Sequence, residues 1–272
     1  MVKIDSEKCV GCSICVNECH SKSLILQNSK VQTVGECRLL CGHCVAICPQ
    51  NAVAIPEFDM DDVTNIAPQD FTAEDLLSFI KTRRSIRRYQ ARPVERELIE
   101  QMIQAGRYTP TSANRQELSF VVIEKEMQTF RKIVIETVGA QCGSLLLAAK
   151  VLPMKPFLRT VAKRGVLIAD KYKENPDEKD EMFFDAPIAI LVAGDNEFDA
   201  GLAAMNMELV ANANRLGVLY SSFITRGADS AKTKLLFGVP KGKKVYMAML
   251  VGYQSVQFMR SAPRKKADVM WC

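Results

Sequence analysis

Cysteine is the residue whose spacing in this 272-residue chain says most about chemistry. Eight of the ten cysteines fall between residues 9 and 48, in two groups spaced C-x2-C-x2-C-x3-C and C-x3-C-x2-C-x3-C, the second followed by Pro49. Disulfides need an oxidising compartment, and the polar N-terminus lacks the apolar core of a signal peptide. Zinc usually binds thiolates from two separated C-x2-C pairs. Three cysteines in close succession instead suit one corner of an iron–sulfur cube, so the spacing favours iron–sulfur chemistry over the other two.

This stretch resembles the bacterial ferredoxins that carry two 4Fe–4S clusters, over about residues 1–56. The resemblance implies that each cysteine group lends its last member to the cluster of the other group. The implied ligand sets are Cys9, Cys12, Cys15 and Cys48 for one cluster, and Cys37, Cys41, Cys44 and Cys19 for the other. The interval from Cys37 to Cys41 holds one residue more than the family spacing, which predicts a bulge in that loop.

A second set of candidate residues lies in the basic run 83–89, RRSIRRY. Four arginines in six residues are not easily buried without partners, so the run is either a solvated basic surface or an anion site. In an anion site, the guanidinium groups of Arg83, Arg84 and Arg87 would bind phosphate oxygens, and Ser85 would add a hydroxyl.

Polar side chains also gather in the turn-rich segment 110–116, PTSANRQ. The amides of Asn114 and Gln116 donate and accept hydrogen bonds, which suits the polar edge of a heterocycle. Taken as isolated residues, both would more often cap turns. The segment leads into a strand-like run at 120–123, which would hold it in place.

Periodicity and capping signals predict the elements that must position these residues. Thr72 and Asp75 have capping-box spacing, so an amphipathic helix should follow, with its apolar face at positions 76, 77, 79 and 80. Further helices are expected at 93–107 and 199–216, the second ended by Gly217 as its C′ glycine. The predicted strands are 120–123, 187–194, 218–224 and 245–252.

In this order, the segments 83–89, 110–116, 187–217 and 252–264 resemble the FMN-dependent nitroreductase family, over nearly all of residues 72–272. The resemblance implies an α+β fold with a central, mainly antiparallel sheet flanked by helices. It also implies an intertwined homodimer with two FMN sites at the subunit interface. The residues implied to bind FMN are Arg83, Arg84, Ser85, Arg87 and Arg264 at the phosphate, Asn114 and Gln116 at the ring or ribityl chain, Ser222, Phe223 and Ile224 across the ring, and Gly252.

Three observations bear on catalysis in this larger half. The stretch 139–185 is longer and more basic than the simplest nitroreductases need, and we expect it to form the wall beside the substrate. Cys142 precedes the apolar run 145–147 and is expected in a helix core, not as a nucleophile. No histidine follows residue 43, and no side chain is singled out as a catalytic acid.

The chain divides into two domains at an acidic segment. Residues 57–75 contain seven acids and no Lys or Arg, with prolines at 56 and 68, as in a solvated connector. We therefore predict a ferredoxin-like domain at 1–56, a linker at 57–71 and an FMN-binding domain at 72–272. A surface loop within a single domain is the alternative.

Composition narrows the class of protein further. The net charge of +5 and an arginine run with one interleaved aromatic, Tyr89, argue against a nucleic-acid partner. The longest apolar run, 186–194, is about half the length of a bilayer span, so we expect no membrane association and a cytoplasmic location.

Together the two halves predict an electron-transfer enzyme. Electrons would pass from the clusters to FMN and then to an electron-poor small molecule such as a nitroaromatic or quinone. The alternative is a module that relays electrons between ferredoxin or NAD(P)H and a partner protein. The lack of a G-x-G-x-x-G motif leaves NAD(P)H open as a co-substrate, and the basic FMN half could also attract an external ferredoxin.

Overall fold

The computed structural model describes residues 1–68, 70–151, 153–178 and 180–272. Gln69 of the predicted linker, and Leu152 and Lys179 of the stretch 139–185, lie outside the described residues. The described chain forms two compact units. The first unit contains Met1–Asp70 and Thr111–Arg115, and the second contains Phe71–Pro110 and Gln116–Cys272.

Short strands and helices make up the first unit. They are β1 (Lys3–Ile4), α1 (Ile14–Glu18), β2 (Leu24–Gln27), β3 (Lys30–Thr33), α2 (His43–Ala46) and β4 (Val53–Ala54). β1 pairs antiparallel with β4, and β2 with β3. Asn28 and Ser29, at φ of 51° and 58°, have the backbone of a two-residue type I′ turn. Three cysteines belong to the small core of this unit, so the candidate ligands are also core residues.

The second unit is a four-stranded sheet covered by helices. Its elements are α3 (Ala73–Thr82), α4 (Arg96–Arg107), β5 (Ser119–Ile123), α5 (Met127–Ala148), α6 (Pro156–Glu174), β6 (Ile188–Gly194), α7 (Glu197–Ala213), β7 (Leu216–Tyr220), α8 (Ser222–Ala228), α9 (Ala231–Leu236) and β8 (Lys244–Tyr253). The strand order is β5-β6-β8-β7, and each neighbouring pair is antiparallel. The predicted α+β fold is confirmed.

The sequence of β6, IAILVAG, shows why the sheet has helices on both faces. Ala189 and Leu191 pack in one core cluster with residues of α5. Ile190 and Val192 pack in the other with residues of α4 and α7. Successive side chains of a strand point to opposite faces, so a strand covered on both faces is apolar throughout.

α3 begins with the predicted capping box. The Asp75 N–H donates to Thr72 Oγ1 at 3.1 Å, and the Thr72 N–H donates to Asp75 Oδ2 at 2.9 Å. The predicted apolar face is only partly covered within the described chain, since Leu76 and Leu77 are 42% and 49% exposed.

The predicted end of the long helix is wrong. α7 ends at Ala213, and the left-handed residue that follows it is Arg215, at φ 60°. Gly217 therefore lies inside β7 and is not a C′ residue. Its lack of a side chain serves packing instead, because a Cβ at this position would lie 2.5 Å from Ile86 Cγ1.

The predicted strand 218–224 is also too long. β7 ends at Tyr220, and Ser221 accepts a hydrogen bond from the Ile224 N–H at 3.3 Å, capping α8. The periodicity did not show this break because the run is apolar on both sides of the serines.

The stretch 139–185 contains the end of α5 and all of α6, which pack against each other. Cys142 is 2% exposed in the core, as predicted. Gly165 of α6 permits the close crossing, since a Cβ there would lie 2.5 Å from Cys142 Sγ. Within the described ranges, no helix combines the length and apolarity needed to cross a membrane.

Candidate functional site

Both cysteine groups have the same local backbone. In each group the residue after the second cysteine has a positive φ, 64° at Ser13 and 77° at Gly42. That residue is the N-cap of a short helix, α1 or α2, which carries the buried third cysteine, Cys15 or Cys44. The two helices pack against each other. The two sequence groups are thus two copies of one loop, facing each other.

Thiols of the two sequence groups lie close to one another. Burial is the main cause that raises the pKa of Cys15 and of Cys44, the latter to about 11, and nearby thiolates add to it. These neighbours are Cys48, Cys12 and Cys9 for Cys15, and Cys41, Cys19 and Cys15 for Cys44. The last cysteine of each group therefore lies near the loop of the other.

Backbone N–H groups point at several of these sulfurs. Hydrogen bonds from the N–H groups of Val31 and Gly11 lower the pKa of Cys9. The Ala52 N–H donates to Cys48 Sγ at 3.3 Å. Such donors favour the thiolate, which is the form that binds metal.

The donor set fits clusters better than single metal ions. All ten cysteines have free thiols. Among the described residues, no three His, Cys, Asp or Glu side chains are close enough to hold one ion. A zinc site would bring four sulfurs to about 2.3 Å from one metal, whereas a four-iron cube holds its thiolates farther apart.

The extra residue between Cys37 and Cys41 forms the expected irregularity. Leu40 has a φ of 43°, in the left-handed region that a leucine seldom adopts. Asn114, whose segment belongs to the first unit, donates from Nδ2 to the Leu40 carbonyl at 2.8 Å. The Asn114 amide thus supports the bulged loop.

The arginine run lines a cavity of about 760 Å³ in the second unit. Five of the predicted site residues line it: Arg83, Arg84, Ser85, Arg87 and Arg264. The cavity therefore brings the segment after α3 together with Arg264, which lies 177 positions after Arg87 in the chain. Four guanidinium groups and a hydroxyl form a donor set suited to a phosphate monoester.

Backbone pairing with the sheet fixes the position of Ser85 in this run. Ser85 forms a parallel bridge with Val218 of β7, and the Ile86 N–H donates to the Val218 carbonyl at 3.0 Å. Gly217 makes room for Ile86, as described above. The edge of the sheet thus sets the position of the run.

Arg84 anchors the chain after β8. Its Nη2 donates to the Arg260 carbonyl at 2.5 Å, and its guanidinium lies 5.8 Å from the centre of the Phe258 ring. These contacts hold the segment that carries Arg264 beside the cavity. Arg84 therefore has protein partners of its own, and it contributes to the cavity by organising the segment.

Ser222 lines a second cavity, of about 720 Å³. Tyr220, at the end of β7, lines both cavities. The arginine-lined cavity offers basic side chains for the phosphate of a flavin nucleotide, and the second cavity offers further space. The residues present therefore fit FMN in charge and in available volume.

The remaining predicted contacts have different surroundings. Ile224 is fully buried in the core, and Phe223 packs against that core. Gly252 faces Pro187 and Tyr89, with 2.6 Å between Pro187 Cδ and a Cβ built on the glycine. Gln116 is exposed at a φ of 53°. None of these four, nor Asn114, is among the described residues that line either cavity.

Comparison with known proteins gives a decisive match for the second unit. The family model described as the nitroreductase family matches residues 80–253, well over half of the chain. The chain belongs to the nitroreductase family. The model of the 4Fe-4S dicluster domain matches residues 1–64. The predicted fusion of a two-cluster ferredoxin domain with a nitroreductase domain is confirmed, and so is the prediction of an oxidoreductase enzyme.

Three proteins similar to this nitroreductase share 24%, 19% and 16% identity with it. A Methanothermobacter thermautotrophicus protein named as an NADH dehydrogenase/NAD(P)H nitroreductase is 24% identical over 189 residues, 66% of this chain and 77% of the relative. A Bacteroides fragilis nitroreductase with bound FMN has a TM-score of 0.55 at 19% identity, covering 73% of this chain and 98% of its own. A Desulfitobacterium hafniense nitroreductase with bound FMN has a TM-score of 0.53 at 16% identity, covering 72% and 97%. These structures show that the fold is shared.

Two residues of the nitroreductase unit that the sequence did not predict, Glu208 and Tyr220, also line the arginine-lined cavity. Arg83 Nη1 donates to Glu208 Oε2 at 2.7 Å, and the two side chains are only 16% and 13% exposed. Tyr220 donates to the Ala204 carbonyl at 2.8 Å. Burial raises the pKa of Tyr220, and Glu208 beside it adds to the shift. One signal was available, since Glu208 is the only charged residue between Asp199 and Arg215.

Burial also raises the pKa of the Glu208 carboxyl, and Arg83 acts in the opposite direction. A partly desolvated carboxylate is costly without a partner, so the ion pair with Arg83 accounts for its presence here. The pair joins the end of α3 to the middle of α7 at the wall of the arginine-lined cavity.

Proposed function

We propose that this nitroreductase binds FMN and two 4Fe–4S clusters and transfers electrons through them to an electron-poor small molecule, such as a nitroaromatic or a quinone. The observation that carries the proposal is the arginine-lined cavity. The chain there brings Arg83, Ser85 and Arg87 of one run together with the distant Arg264 around one space. The neighbouring thiols of the two sequence groups supply the partner chemistry, single-electron transfer.

The proposed cofactor contacts follow the geometry. The clusters are assigned to the two thiol sets, Cys9, Cys12, Cys15 and Cys48, and Cys19, Cys37, Cys41 and Cys44. The FMN phosphate is assigned to the cavity, where the guanidinium groups neutralise its charge and Ser85 donates a hydroxyl hydrogen bond. When bound, FMN supplies one- and two-electron chemistry. The protein binds and orients the cofactor, with Ser222 at the second cavity.

Cofactor analysis tests this proposal directly. The full chain, purified without oxygen, should contain about eight irons, about eight sulfides and one FMN. A Cys142→Ser variant is the matched control, because that thiol lies in the core of the second unit and should leave the iron content unchanged. Two bound zinc ions without flavin would refute the proposal.

The identity of the acceptor separates an enzyme from an electron-transfer module. After anaerobic reduction, the flavin and clusters should be reoxidised by a nitroaromatic or a quinone, with formation of a reduced product. Reoxidation by a redox protein alone, with no small acceptor effective, would favour the module that relays electrons to a partner. The open cavity beside Tyr220 favours a small acceptor.

The proposed electron donors are external ferredoxin and NAD(P)H. The basic second unit suits an acidic ferredoxin, while the name of the Methanothermobacter thermautotrophicus relative points to a nicotinamide. Flavin reduction monitored separately with reduced ferredoxin, NADH and NADPH assigns the donor. If ferredoxin is the donor, the reaction should slow as ionic strength rises.

A homodimer in the cytoplasm completes the proposal. Its support is the exposed apolar face of α3, with Leu76 and Leu77, together with Phe157 and Leu158 at the start of α6. Light scattering after size-exclusion chromatography should give about twice the chain mass. A monomer that nevertheless contains stoichiometric FMN would contradict this part of the proposal.

A further inference from the structure

Glu208 is the only carboxylate among the described residues that line the arginine-lined cavity. A negative charge beside a phosphate site is unexpected, because it should repel the phosphate. The side chain is 13% exposed, so solvent does not fully screen it. Its contacts indicate what it does there.

Glu208 and its helix hold the Arg83 guanidinium. Arg83 Nη1 donates to Glu208 Oε2 at 2.7 Å and lies 2.8 Å from Met205 Sδ, one turn earlier in α7. Arg83 Nε is 3.4 Å from the Ile80 carbonyl. In the described part of the chain, Nη2 has no hydrogen-bond partner. The guanidinium is thus oriented by α3 and α7, with one nitrogen left for a ligand.

We infer that Glu208 is a positioning residue for phosphate binding: it fixes Arg83 so that Nη2 remains available to the phosphate monoester of FMN. This inference rests on the proposed function. Arginine carries several freely rotating bonds, and fixing its orientation in advance lowers the entropic cost of binding. The fixed donor outweighs the repulsion between Glu208 and the phosphate.

The direction in which one substitution changes FMN affinity decides whether Glu208 positions Arg83 or repels the phosphate. If Glu208 acts through its charge alone, Glu208→Ala should tighten the binding of FMN. If Glu208 positions Arg83, the same variant should weaken the binding of FMN. Riboflavin, which has no phosphate, should bind equally well with or without Glu208.

The experiment uses the flavin-free full chain with its clusters retained, titrated with FMN and with riboflavin and followed by flavin fluorescence. We expect Glu208→Ala to weaken FMN about tenfold, the scale of one charge-assisted hydrogen bond, without changing riboflavin affinity. Glu208→Gln should weaken FMN binding less than Glu208→Ala does, because an amide oxygen still accepts a hydrogen bond from Arg83. In an Arg83→Met background, Glu208→Ala should no longer weaken the binding of FMN.

Controls separate positioning from loss of fold. Glu100→Gln removes a carboxylate that pairs with Arg96 on the surface of α4, and it should leave both flavin affinities unchanged. If circular dichroism shows that Glu208→Ala does not fold, Glu208→Gln replaces it in the test. In that variant, FMN affinity should fall relative to riboflavin affinity. Tighter FMN binding, or an equal loss for both flavins, would overturn the inference. A wild-type chain that binds neither flavin would instead refute the proposed function.

Discussion

At the scale of single residues, Gly217 positions the phosphate-binding candidates through the absence of a side chain. A Cβ there would approach Ile86 Cγ1 to 2.5 Å, and Ile86 follows Ser85 in the arginine run. Gly217→Ala should therefore push the run away from β7. We expect a loss of about 1–3 kcal/mol in the free energy of unfolding, the usual cost of overpacking, and weaker FMN binding.

The second unit offers a matched control for this change. No heavy atom lies within 4 Å of a Cβ built on Gly201 of α7. Gly201→Ala should be neutral or should stabilise the helix by about 0.5–1 kcal/mol, without affecting FMN. Chemical denaturation and flavin titration of both variants check the prediction, and equal behaviour of the two would contradict it.

The proposed cysteine sets, which cross the sequence groups, make a prediction that sequence order alone would not. Cys48 belongs to the second sequence group, yet it lies near Cys15 of the first. If Cys12 and Cys48 bind the same cluster, the double variant Cys12→Ser/Cys48→Ser should retain about four of eight irons. Because Cys41 is assigned to the other proposed set, Cys41→Ser/Cys48→Ser should then lose both clusters.

Iron analysis of the anaerobically purified variants distinguishes these outcomes, with electron paramagnetic resonance reporting the remaining cluster. Cys272→Ser, at the exposed chain end, serves as a control. Complete loss of iron from Cys12→Ser/Cys48→Ser, with half retained by Cys41→Ser/Cys48→Ser, would show that each sequence group binds its own cluster.

At the scale of elements, Glu95 links the start of α4 to the end of β8. Tyr253 donates a hydrogen bond to its carboxylate, Arg92 Nη2 donates another at 2.7 Å, and the Arg92 guanidinium lies 4.0 Å from the centre of the Tyr253 ring. The bond from Tyr253, followed by the other hydrogen bonds, lowers the pKa of Glu95 from 4.5 to about 2. The ionised carboxylate therefore stabilises the folded state.

The sign of the pH dependence follows from this shift. A carboxyl with a depressed pKa contributes its full stability above about pH 4.5 and loses it as the pH falls toward 2. Glu95→Gln should lower the free energy of unfolding at pH 6, and the difference from wild type should shrink at lower pH. Cluster loss in acid affects both proteins, so comparison of their denaturation curves isolates the carboxylate.

Glu97→Gln, in the same first turn of α4, provides the control. Glu97 makes no hydrogen bond through its side chain within the described structure. A pH-independent difference between Glu95→Gln and wild type would show that Tyr253 and Arg92 do not act on the ionised form.

Elements with a strong periodic or capping signal were predicted well, and their ends were not. The capping box of Thr72 and Asp75 and the apolar run of β6 depend on local chemistry, so the sequence shows them. Gly217 was misassigned because a glycine near a helix end resembles a C′ residue. A glycine is needed at this position because Ile86, which lies 131 positions earlier in the chain, packs against it.

The same reasoning applies to the candidate site. Residue type and local spacing indicated the cysteines and the arginine run, because thiolates and guanidinium groups have narrow chemical uses. The partner of Arg83 could not be predicted, since Glu208 comes from a helix whose orientation depends on packing against the sheet. Ser222 was assigned to a strand because the apolar run on either side conceals the turn at Ser221.

At the scale of the whole molecule, the two units depend on different sources of stability. The second unit has a continuous core on both faces of its sheet. The described core of the first unit comprises nine buried residues, of which Cys9, Cys15 and Cys44 are cysteines. A unit of that size buries too little apolar surface to be comfortably stable, and metal–thiolate bonds would supply the missing free energy.

Removal of iron should therefore unfold one unit and spare the other. After anaerobic treatment of the full chain with a strong iron chelator, amides of β2 and β3 should exchange with solvent within seconds. Amides of β6 and β8, each paired on both sides within the sheet, should remain protected. Hydrogen–deuterium exchange with mass spectrometry measures both regions in one sample. Protection of β2 and β3 that survives complete loss of iron would show that the small core suffices, and that the clusters serve electron transfer without holding the fold.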